Sequence, residues 1–103
     1  MYKRQFAHGG REVVAELHSS RGETLRLAVV VARDIDESPE VLRELNQANA
    51  GLVGIRLWLD RQRVVAATDL ACGHLDDLLD VVDSLTTQVA GLDLFLGALS
   101  GVR

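Results

Sequence analysis

A chain of 103 residues is long enough for one domain built on one hydrophobic core, and its 48% apolar content argues against disorder. Eleven Lys and Arg against fifteen Asp and Glu leave a formal net charge of −4, which argues against nucleic acid as a partner and disfavours anionic membrane surfaces. One cysteine, Cys72, allows no internal disulfide, and no apolar run approaches the roughly 20 residues that span a bilayer; a cytoplasmic protein is expected.

In chain order, Met1 to Gln5 fits none of the patterns that follow. Tyr2-Lys3-Arg4 is basic, but no apolar stretch follows to make a signal peptide. Residues 1–5 are therefore set aside as disordered or extraneous, and the true N-terminus is expected to be missing. Residues 1–103 otherwise read as a single domain.

Glu12 to His18 alternates, with Val13, Ala15 and Leu17 on one face. Thr24 to Ala32 alternates too, with Leu25, Leu27, Val29 and Val31 on one face. Period-two alternation with β-branched residues predicts strands, and Ser19-Ser20-Arg21-Gly22-Glu23 between them predicts a loop. Pairing His18 with Thr24 sets Leu17 against Leu25, Ala15 against Leu27 and Val13 against Val29. Glu16 then faces Arg26 on the opposite side, an attractive cross-strand pair. A slip of one residue would set apolar against polar.

Ser38-Pro39-Glu40 is a helix start: a capping serine, a proline at the first position, and a carboxylate on the positive end of the dipole. Val41, Leu42, Leu45 and Ala48 follow at helical spacing, and Gly51 is the expected exit, able to take positive φ. Asn46 and Asn49 are expected to make turn or capping bonds.

Val53 to Asp60 and Val64 to Leu70 predict a second hairpin around Arg61-Gln62. It pairs Leu59 with Val64, Leu57 with Ala66, Ile55 with Thr68 and Val53 with Leu70. The turn lacks the glycine such a two-residue loop prefers, so a longer or bulged loop remains open. From His74 the period changes. Leu75, Leu78, Leu79, Val82, Leu85, Val89, Leu92, Leu96 and Leu99 predict a helix of about 25 residues, with a kink or break expected at Gly91.

The fold class is therefore α+β: an antiparallel sheet of two hairpins, β-β-α-β-β-α, with the long last helix packed on one face. Leu27, Val29, Ile55, Leu57, Leu78, Leu79, Val82 and Leu85 are the expected core. Trp58 falls on the other face, beside Val65 and with Arg56 on its side. These three are the expected protein-binding residues. What covers Trp58 is either the first helix or N-terminal segment, or else a second subunit or a client.

No catalytic, cofactor-binding or metal-binding residues are expected. Asp76, Asp77, Asp80 and Asp83 read as a solvated face, two of them near a helix N-terminus. His8, His18 and His74 are scattered, and Cys72 with His74 falls short of the four ligands of a zinc site. Cys72 reads as a buried structural thiol. Ser19, Ser20 and Ser84 lack a nucleophile elbow, and Gly9-Gly10 lacks the rest of a phosphate-cradling loop.

The segments Ser38-Pro39-Glu40-Val41-Leu42 and Leu45-Asn46-Gln47-Ala48-Asn49, the hairpin from Ile55 to Ala66 and the long final helix resemble the bacterial YbjN-like and type III secretion chaperone-like superfamily. The resemblance runs from about Glu12 to Arg103. It implies a non-enzymatic, chaperone-like or adaptor module that binds a protein client, often as a homodimer. Members place a helix before the first strand and a further strand before the second, a departure that fits truncation here. The alternative is a small ligand-binding regulator or enzyme with a pocket between helix and sheet.

Overall fold

The protein is described here from a computed structural model, which defines residues 3–19 and 23–92. Among these residues five strands form one antiparallel sheet: β1 (Lys3–His8), β2 (Arg11–His18), β3 (Thr24–Ala32), β4 (Arg56–Asp60) and β5 (Arg63–Ala71). Their order across the sheet is β1-β2-β3-β5-β4. Helix α1 (Pro39–Ala50) joins β3 to β4, and helix α2 (Leu78–Ala90) follows β5 through a 3-10 segment, Cys72–Asp77. The α+β class stands.

The first expected hairpin holds residue for residue. Leu17 pairs with Leu25, Ala15 with Leu27, Val13 with Val29, and Glu16 with Arg26. In the second, Leu59 pairs with Val64 and Leu57 with Ala66. Arg61 and Gln62 form the two-residue turn without a glycine, at φ of 52° and 66°. Their left-handed backbone is held from outside: the Gln62 carbonyl accepts from the Ile35 N–H at 2.9 Å, and its side chain donates to Asp36 at 2.9 Å. Strand pairing stops at Arg56, however, so Ile55 and Val53 lie outside the ladder. Thr68 instead donates its hydroxyl to the Gly54 carbonyl at 2.7 Å.

Beyond the two expected hairpins the sheet gains β1. Lys3, Arg4 and Gln5, which fit no sequence pattern, pair with Glu16, Ala15 and Val14. Gly9 and Gly10 are the turn that makes this possible, at φ of 59° and 76°. Gly9 packs against α2, where an added Cβ would meet the Thr86 hydroxyl at 3.3 Å. His8, at the end of β1, is tied to Asp83 of α2.

Ser38 caps α1 by accepting from the Val41 N–H at 3.2 Å, with Pro39 at its first position. Gly51 ends the helix at φ −95°, so the positive φ expected there is taken by Gly54 instead. The last helix starts later than its leucine spacing predicts. His74 has non-helical dihedrals inside the 3-10 segment, and regular helix begins only at Leu78. Gly91 caps its end, and Leu96 and Leu99 lie outside the described residues.

Both helices cover the same side of the sheet. Val13, Leu27, Val29, Leu57, Val64 and Ala66 from the strands meet Val41 and Leu45 of α1 and Val82, Leu85 and Val89 of α2 in one cluster. Of the expected core, Leu78 is partly buried against this cluster, and Leu79 is 70% exposed. On α2 the stripe Leu78, Val82, Leu85, Val89 faces the sheet, and Leu79 falls one residue off it. Ile35, 2% exposed, joins the core from the loop before α1.

Candidate functional site

The side of the sheet away from the helices carries no helix among the described residues. Its side chains follow from the strand order and the period of two. Its central part is made of three rows. Trp58, Val65 and Val30 lie opposite one another on β4, β5 and β3. Next come Arg56, Ala67, Ala28, Val14 and Gln5, then Asp69, Arg26, Glu16 and Lys3.

Small residues at the centre and long ones around it make this face concave. It holds a cavity of about 530 Å³, lined by Val14, Ala28, Val30, Val65 and Trp58 together with charged side chains. That volume is within the range of small-molecule and peptide-side-chain sites. The cavity is on the open face, whereas the sequence-based alternative placed a pocket between helix and sheet.

Trp58 and Arg56 are thus on the open face with Val65, as expected. Val65 is 7% exposed beneath its taller neighbours, Trp58 is half-buried, and Arg56 is exposed. The Arg56 guanidinium lies over the Trp58 ring, 5.6 Å from its centre, a cation–π contact that holds the indole against the sheet. Helix α1 does not fold over Trp58: Val41 and Leu45 belong to the core on the far side.

The third row is a ladder of alternating charge. Arg26 donates to Asp69 at 2.9 Å, Arg56 reaches the same carboxylate at 3.5 Å, and Lys3 lies 3.7 Å from Glu16. The Arg26 hydrogen bond is the main reason the Asp69 carboxyl titrates below the usual carboxylate range. The same bond makes Arg26 still harder to deprotonate. His18 Nε2 sits 3.4 Å from Glu16, shielded from solvent without hydrogen-bond geometry. At the other end Arg63 pairs with Asp60 at 3.2 Å.

The two edges of the sheet differ. On β4, whose outer side would otherwise be open, the Asn49 amide of α1 clamps the backbone of Leu57. It donates to the carbonyl at 3.0 Å and accepts from the N–H at 2.6 Å. A side-chain amide here replaces a neighbouring strand; Asn49 thus bonds the sheet edge instead of making the turn or capping bond expected of it. Gln88 of α2 does the same for Val53, donating and accepting at 3.1 Å each way. On β1, antiparallel alternation turns the N–H and C=O groups of Lys3, Gln5 and Ala7 away from β2.

The remaining chemistry-bearing residues do not converge. Among the described residues no three His, Cys, Asp or Glu side chains gather as metal ligands. Asp76, Asp77 and Asp80 are exposed, and Asp83 is occupied by His8. Cys72, expected to be buried, is half-exposed. No described helix is long and apolar enough to cross a membrane.

Among the described residues the sheet is backed by helices on one face and holds the cavity on the other. The chain belongs to the family described as T3SS (YopN, CesT) and YbjN peptide-binding chaperone 1, which matches residues 9–103. Membership supports a non-enzymatic, protein-binding role. A search of curated proteins finds no match to the chain.

Proposed function

We propose that this chain is a cytoplasmic chaperone or adaptor that holds an extended segment of a client protein on its open sheet face, with Trp58, Arg56 and Val65 in contact. One observation carries the reading: the only tryptophan of the chain stands half-buried beside a cavity of about 530 Å³, on the side opposite both helices. Tryptophan and arginine are the commonest anchors of protein interfaces, and a floor of small residues beside them receives a partner's apolar side chain. The family's description as peptide-binding supports the same occupant.

The edge of β1 offers the same client a second purchase. Its outward backbone groups can add a strand, whereas Asn49 closes β4 at Leu57. A second copy of the chain is the competing occupant of either surface.

The test uses peptides selected on the purified protein from a random display library. Trp58→Ala is expected to weaken their binding by about thirtyfold, the loss typical of a buried aromatic anchor. Leu79→Ala, on the helix side, is expected to leave it unchanged. Equal affinity of the Trp58→Ala protein, with its circular dichroism intact, would rule the open face out.

A further inference from the structure

Positive charge collects on the open face of a chain that is acidic as a whole. The cavity is lined by Lys3, Arg11, Arg26, Arg33 and Arg63 against Glu12, Glu16 and Asp60, an excess of two positive charges where the whole chain carries −4. The excess sits at two places. Arg26 and Arg56 share the single carboxylate of Asp69. At the opposite end Arg63 has Asp60, while Arg33, exposed on the same cavity, makes no ion pair among the described residues.

Between these ends lie Trp58, Val65, Val30 and Ala28. An apolar side chain seated there brings its neighbours along an extended segment over the two cationic ends. Arg63 and Asp69 are six residues apart on β5, about 20 Å at 3.3 Å per residue. A segment of similar length spans both. Carboxylates placed there complete the partly balanced ion pairs, and lysines placed there meet like charge.

We propose that the segments this face selects are acidic: an apolar side chain over Trp58 and Val65, with Asp or Glu on both sides of it. This rests on the open-face reading above and adds the class of ligand to it. Selectivity then comes from charge at the rim of the cavity, and affinity from the apolar centre.

The composition of the selected display peptides tests this. Asp and Glu are expected to outnumber Lys and Arg in the enriched pool. Changing the carboxylates of one such peptide to amides should weaken binding by about three- to tenfold, as for partly exposed ion pairs, and high salt should narrow that gap. Arg33→Glu and Arg63→Glu should close it. A neutral or basic pool whose binding still requires Trp58 would overturn the charge selectivity and leave the open-face site standing. A pool indifferent to Trp58, or no enrichment at all, would overturn both.

Discussion

Replacing Asn49 by alanine removes both hydrogen bonds that close the outer side of β4 at Leu57. Each is worth about 1 kcal/mol net, and the half-buried N–H and C=O they leave behind add to the loss. The expected destabilisation is therefore about 2–3 kcal/mol, a large share of the roughly 5–15 kcal/mol that holds a domain together. In urea, with a slope of about 1–1.5 kcal/mol/M, the midpoint should fall by about 2 M. Asn49→Asp separates the two bonds. The carboxylate still accepts from the Leu57 N–H but opposes the Leu57 carbonyl, so at neutral pH it should be no better than alanine. It should recover in part when acid protonates the new carboxyl and restores a donor. The opened β4 edge should also promote concentration-dependent association in sedimentation velocity. An Asn49→Ala midpoint within error of wild type would refute the clamp.

Three further outcomes follow from packing and charge. Leu57→Ala, at a site 4% exposed, should cost about 2–5 kcal/mol, while Leu79→Ala, 70% exposed, should stay within about 0.5 kcal/mol of wild type in the same melts. The Asp69 carboxyl is held below its ordinary value chiefly by Arg26, so the stability it contributes is present above its unfolded pKa and is lost as pH falls through the folded one. Because the pair is about a third exposed, that contribution is about 1 kcal/mol at most. Asp69→Asn should be less stable than wild type at neutral pH, and the difference should vanish in acid; a difference unchanged at low pH would contradict the pairing. A double substitution of Arg26 and Asp69 to Gln and Asn should cost less than the two single changes added together.

The first hairpin was legible because Leu25, Leu27 and Val29 alternate against Leu17, Ala15 and Val13, and only one register sets each apolar residue against its partner. The Glu16–Arg26 pair came with that register. Its extension to Asp69 and Lys3 did not, because it depends on β5 and β1 being the neighbours of β3 and β2. The cavity escaped for the same reason: Val30 and Val65 line it together only once β5 lies beside β3. Strand β1 left no apolar rhythm because Lys3 to Ala7 are all exposed; the Gly9-Gly10 turn was its one local signal. Leu79 misled because leucines recur on α2 beyond the width of the buried stripe. Trp58 was placed on the correct face from alternation alone, since Leu57 and Leu59 flank it. The Asn49 clamp could not be read from sequence, because it needs the docking of α1 against β4.

The most direct test of the open-face account is a titration of isotope-labelled protein with one of the selected peptides, followed by amide and indole chemical shifts. The account expects the largest changes at the Trp58 indole and at the amides of Val14, Ala28, Val30, Val65 and Ala67, with the exposed residues of α1 and α2 unmoved. Changes centred on Leu42, Leu75 and Leu79, with the Trp58 indole still, would contradict it.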